Sequence, residues 1–210
     1  MLTKINLEIP KGSTVAFIGT SGAGKTTLAD IILGLLPPEE GKVLVDNKDI
    51  YSNLQCWYNH LGYIPQTIYL SDDTIRNNIA FGIKEEEIID ESVWTALKKA
   101  QLVDFVDKLD NGLDTFVGEL GMRLSVGQRQ RIGIARALYH NPDILILDEA
   151  TSALDNDTEQ AVMDSIESLK REKTILIIAH RLNTIRNADI IYEIADGLAV
   201  RKSKDEIFGE

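Results

Sequence analysis

The chain has one cysteine in 210 residues, Cys56, so no internal disulfide framework holds it together. That usage fits a reducing compartment. It has no apolar run near the roughly 18 residues that a membrane-crossing helix needs. Basic charge is scarce: 22 Lys and Arg stand against 33 Asp and Glu, a formal net charge of −11. This argues against a free-standing nucleic-acid binder, which needs clustered cations for phosphate contacts. It does not argue against nucleotides, which bind locally through backbone N–H groups. Internal repeats, low-complexity tracts and long linkers are missing as well. What remains is an ordinary globular composition, 44% hydrophobic, long enough for one domain with or without a small subdomain.

The order of patterns is informative. Residues 1–9 alternate apolar and polar (Leu2, Ile5, Leu7, Ile9) and read as a strand before a Pro10-Lys11-Gly12 turn. TVAFIG is a short β-rich run; a Gly-rich loop and an apolar helix, LADIILGLL, follow, with Pro37-Pro38 as the expected stop. KVLVDNKDI reads as a strand with a turn, and LGYIPQ as another strand. From about Asp73 to Tyr139 the pattern is helical: IRNNIAFG, SVWTALKKAQLVDFVDKL and QRQRIGIARALYH, the last with Ile132, Ala135 and Leu138 on one face. Then DILILDEA and TILIIAH return as apolar strands with a helix between them, roughly Asp157 to Lys170. Continuous apolar strands joined through helices predict an α/β fold with a mostly parallel sheet and a helical insertion.

Three of these strands end in reactive groups. GTSGAGKT, Gly19 to Thr26, fits G-x-x-x-x-G-K-[ST] between a strand and a helix. Gly19, Gly22 and Gly24 permit a backbone that aims N–H groups at phosphates; Lys25 would reach the terminal phosphates and the Thr26 hydroxyl would sit on Mg²⁺. The alternative is a Gly-rich turn with a surface lysine. ILILDE ends in Asp148 and Glu149, a pair suited to holding Mg²⁺ and to activating a water, or else to capping a helix. TILIIAH ends in His180. In open α/β sheets ligands gather at the carboxyl ends of strands, so His180 would reach the γ-phosphate; His60 and His140 lack that setting and read as surface or packing residues. Gln66 closes another strand-like run at the border of the helical part, a candidate sensor between the two.

RLSVGQRQ, Arg123 to Gln130, carries two readings. Ser125 and Gln128 are spaced as a capping box, which only closes a helix. A helix start with a Ser and a Gly is also an anion site.

With these segments in order, the chain resembles an ATP-binding cassette (ABC) ATPase, the nucleotide-binding domain of ABC transporters. GTSGAGKT resembles the Walker A loop, YIPQ the Q-loop, LSVGQ the family signature, ILILDE the Walker B strand, SALD (Ser152 to Asp155) the D-loop and AHR the switch histidine. LSVGQ discriminates, since other P-loop ATPases lack it. The resemblance implies a P-loop NTPase (RecA-like) core, residues 1–72 and 142–210, with an inserted α-helical subdomain, about 73–141, carrying the signature. It implies ATP and Mg²⁺ as ligands. Gly19, Ser21, Gly22, Ala23, Gly24, Lys25, Thr26 and Thr27 would hold the phosphates. Thr26 and Gln66 would touch the metal, with Asp148 holding it through water. Glu149 would be the general base, with His180 and Lys25 on the γ-phosphate. In this family two cassettes stack head to tail, so Ser125, Gly127 and Gln128 would serve the ATP of a second cassette, identical or paired, and Asp155 would couple the two sites. Ser125 could cap its helix as well, so both readings of the signature stand together.

TIRNNIAFG and VGELGMRLSVGQ resemble exporter-type cassettes, with Gly118-Glu119 in the manner of the exporters' x-loop; the nearest look is to exporters that flip lipids or lipid-linked sugars. That implies a transmembrane partner domain and a place at the cytoplasmic face of the plasma membrane. The alternatives are a non-transport cassette, for DNA repair or ribosome work, and a truncated cassette that binds ATP without turnover. Three departures bear on this. Val126 stands where the signature usually has its first Gly, and Leu120 where the x-loop usually has Arg. No aromatic precedes Phe17, so the expected β-structure with an adenine-stacking ring is missing, and the chain reads as a fragment of a longer transporter.

Overall fold

The computed structural model describes residues 2–149, 156–179 and 185–209. Along the chain, β1 (Thr14–Ile18) leads into α1 (Lys25–Leu33). The hairpin of β2 (Leu44–Val45) and β3 (Lys48–Asp49), a short α2 (Leu54–Tyr58) and β4 (Leu61–Ile64) follow. Then come α3 (Ile75–Ile79), α4 (Asp90–Lys99), α5 (Val103–Val106) and α6 (Val126–Leu138). The last elements are β5 (Ile144–Asp148), α7 (Asn156–Glu167), β6 (Thr174–Ile178), β7 (Ile190–Ala195), β8 (Leu198–Lys202) and α8 (Lys204–Phe208).

Contacts group these elements into two units. The first holds residues 2–63, 143–149 and the described residues from 170 onward; the second holds 64–142 and 156–169. The sheet runs in the order β4-β5-β6-β1-β7-β8, parallel from β5 to β7 and antiparallel between β7 and β8. This is the mostly parallel sheet expected from the apolar strands. Its interior strands are buried on both faces: β6, TILII, is buried at every position. Val15, Phe17, Leu28, Ile32, Trp57, Ile146, Leu176, Ile178 and Ile194 form the core of the first unit. Trp57 donates its indole N–H to the Ile32 carbonyl at 3.0 Å, so a large apolar ring is buried with its polar atom satisfied. In the second unit α6 packs on α3, α4 and α7.

Three local expectations need correction. Residues 2–9 form no ladder strand; Lys4 sits at φ 54°, which breaks extended backbone, and Leu2, Ile5, Leu7 and Ile9 pack one-sidedly on the core instead. Helix α1 stops before the prolines, because Gly34 adopts φ 81° and its N–H closes on the carbonyls of Asp30 and Ile31. The run from Ser92 to Leu109 is two helices, α4 and α5, divided where Gln101 takes φ 54°.

Candidate active site

Strand register places the reactive segments of the first unit side by side. Asp148, the last residue of β5, is opposite Ile178 of β6, and Ile178 is opposite Phe17 of β1. The loop after β1 and the acids after β5 therefore leave the same edge of the sheet. Gly19 takes the backbone past β7 so closely that a Cβ there would lie 2.3 Å from the Ile194 carbonyl oxygen; only glycine fits. Gly24 is the N-cap of α1 at φ 102° and makes no side-chain cap, and the first turn carries no acid. The first amides of that helix, and the positive end of its dipole, are left for an anion.

Lys25 is 5% exposed. Its Nζ donates to the carbonyls of Gly19 at 2.9 Å and Thr20 at 3.0 Å. Burial pushes the ammonium below its ordinary pKa, while the charges of Glu149 and Asp148 hold it up. Asp148 is 9% exposed. Burial raises its pKa, and the like charges of Glu149 and Asp30 add to that; the Tyr63 hydroxyl and Lys25 pull the other way. The Tyr63 hydroxyl donates to Asp148 Oδ2 at 3.3 Å. Its own pKa is pushed up to about 12, first by burial and then by Asp148. Glu149 follows with φ 48°, a region non-glycine residues seldom adopt, and its N–H is tied to the Ile178 carbonyl at 3.0 Å. The β6 ladder thus continues one residue past Asp148 and holds a strained turn.

The second unit carries Gln66, Ser125, Gly127 and Gln128. Gln66 is exposed in a bend two residues past β4. The signature opens α6 with a complete capping box: the Gln128 N–H donates to Ser125 Oγ at 3.2 Å, and the Ser125 N–H donates to Gln128 Oε1 at 2.9 Å. The helix-closing reading of RLSVGQRQ is realised. It uses an oxygen lone pair of Ser125, which leaves the hydroxyl hydrogen for donation to an anion. Gly127 has a packing reason of its own, since a Cβ there would lie 2.3 Å from Thr158 Cγ2 of α7. Leu120, at the x-loop position, is exposed with φ 52°. His180 and Asp155 lie outside the described residues. His60 pairs with Asp143, Nδ1 to Oδ2 at 2.7 Å, as an exposed structural contact. Sequence reasoning passed over Tyr63, since only strand adjacency brings its hydroxyl to Asp148.

The sequence matches the ABC transporter family over residues 2–152. The chain belongs to that family. Among its relatives, the ATP-dependent lipid A-core flippase of Salmonella typhimurium is 46% identical over 202 residues, 96% of this chain and 34% of the relative. The protein of that name from Francisella tularensis is 45% identical over 207 residues, covering 98% and 34%. A solved bacterial Atm1-family ABC exporter with ATP bound superposes with a TM-score of 0.86 at 39% identity, over 99% of this chain and 37% of that one. The chain spans about a third of the length of these relatives. This ABC cassette is an ATP-binding domain, similar over nearly its whole length to part of those exporter and flippase chains, and a DNA-repair or ribosome-associated cassette is not favoured. No helix among the described residues is long and apolar enough to cross a membrane.

Proposed function

We propose that this cassette hydrolyses ATP as one of a head-to-tail pair, at the cytoplasmic face of a membrane, to drive an exporter's transmembrane domain. The observation that carries the reading is the uncapped start of α1 with buried Lys25, set on the same sheet edge as Asp148 and Glu149. The resemblance to lipid A-core flippases supports a lipid-linked, amphipathic cargo.

Backbone amides from Gly19 to Thr27 would hold the phosphates, with Lys25 exchanging its loop carbonyls for phosphate oxygens. Among the described residues no three His, Cys, Asp or Glu side chains converge as a metal cage. The carboxylates at the end of β5, Asp148 and Glu149, suit Mg²⁺, which keeps its waters and takes one or two carboxylates beside phosphate oxygens. Thr26, Gln66 and Asp148 would hold it, the last through water. When bound, the metal neutralises phosphate charge. Glu149 would take a proton from the attacking water, and its strained, ladder-tied backbone supports a fixed position for that task. His180 would donate to the γ-phosphate, and Asp155 would couple the two sites. Ser125, Gly127 and Gln128 would face the partner's ATP.

The test is the solution mass of the Glu149→Gln chain by light scattering, with and without Mg-ATP. Removing the base traps the ATP state, and ATP is expected to double the mass. A mass that stays monomeric at saturating ATP overturns the pairing of identical chains.

A further inference from the structure

Asp148 is gripped by a side chain to which the sequence reading gave no role, the first residue of YIPQ. It ends β5 almost fully buried, beside two other acids, Glu149 and Asp30, whose charges act on it. A buried carboxylate beside like charges turns away from them unless a hydrogen-bond donor fixes its orientation. Tyr63 supplies the hold. It lies on β4, the neighbouring strand, where Gly62 and Ile64 are buried and Tyr63 is 39% exposed between them. Its ring is rigid with the hydroxyl on the ring axis, and the adjacency of β4 and β5 lets it reach Oδ2 at 3.3 Å.

We infer that Tyr63 is a positioning residue for the metal: it fixes the Asp148 carboxylate through Oδ2 and leaves Oδ1 to face a hydrated Mg²⁺. This rests on the reading that Asp148 serves the metal. The chemistry of the donor favours it. A phenol is neutral and keeps its proton at physiological pH, so it orients the carboxylate without neutralising it. A lysine or arginine there would supply a charge that competes with the cation. Partners that orient a metal-binding carboxylate in this way typically affect metal affinity by 10-fold or more.

ADP is the probe, because it is not turned over and does not need a second cassette. Calorimetry on the full chain gives its Kd in EDTA and in MgCl₂, and the ratio of the two measures metal coupling. For Tyr63→Phe the expected ratio falls about tenfold, with the EDTA value unchanged. Asp148→Asn removes most of the coupling, and adding Tyr63→Phe to it has no further effect, as required of a residue that acts through the carboxylate. An unchanged ratio, an equal loss in EDTA and in magnesium, or a loss that persists in the Asp148→Asn background overturns the inference. If the native chain shows no magnesium coupling, or Asp148→Asn leaves it intact, the metal reading of Asp148 fails first and the role of Tyr63 falls with it.

Discussion

Replacing Ser125 separates the capping bond it makes from the trans contact proposed for it. The capping bond to the Gln128 N–H is at an exposed helix start, where water replaces part of what is lost. Ser125→Ala is therefore expected to cost about 1 kcal/mol, the middle of the range for such caps. For a chain of this length that is a fall in Tm of about 2–4 °C. Ser125→Asp caps as well as serine and places a negative charge at the positive end of α6, so its Tm is expected to match or exceed the native value. A carboxylate facing a γ-phosphate is repelled, however. In the Glu149→Gln background, ATP is expected to leave Ser125→Asp monomeric while the Glu149→Gln parent doubles in mass. Thermal unfolding without nucleotide reads the capping bond, and light scattering with Mg-ATP reads the trans contact. Loss of stability in the Asp variant refutes the capping argument. Full ATP-driven pairing by the Asp variant refutes the trans contact.

Two more outcomes follow from buried charge. Asp148→Asn is expected to stabilise the nucleotide-free chain at neutral pH and to abolish turnover. The sign follows from a folded-state pKa raised above the ordinary 3.8: between those two values the native state binds more protons than the unfolded one, so stability falls as pH rises. The gap between variant and native chain in urea titrations should open above about pH 4 and level off once the native carboxyl is ionised; a gap that shrinks as pH rises contradicts this. Arg136 donates to the carbonyls of Asn78 at 2.7 Å and Tyr69 at 2.8 Å and to Asn78 Oδ1 at 3.1 Å, and Asn78 is fully buried. Arg136→Ala is expected to cost about 3 kcal/mol in urea unfolding, and lysine, with no planar fork, should restore less than half; full rescue by lysine would show that charge alone matters there.

The fold was legible where backbone geometry dictates residue type. Gly19 admits no side chain beside Ile194, and the capping box needs Ser and Gln three apart, so both leave a mark in the sequence. The parallel sheet was legible because strands covered on both faces must be apolar throughout. What escaped depends on single dihedral angles or on neighbours distant in sequence. Lys4 and Gln101 take left-handed backbone that neither residue type announces, and each breaks a pattern that periodicity alone extends. The grip of Tyr63 on Asp148 spans 85 positions and exists only because β4 and β5 are adjacent.

Lys25 has its partners before any anion arrives. Its ammonium is already stripped of bulk water and bonded to the carbonyls of Gly19 and Thr20. The dehydration cost is thus met on folding and not at the moment of nucleotide entry. An arriving anion must displace two backbone oxygens that already satisfy the cation, and a weakly charged anion has little to offer in exchange. Carboxylates, bicarbonate and orthophosphate should compete poorly, whereas a polyphosphate brings several charged oxygens to the same exchange. Anion entry at this loop is then a ligand exchange at the ammonium, with the carbonyls of Gly19 and Thr20 as the resident partners.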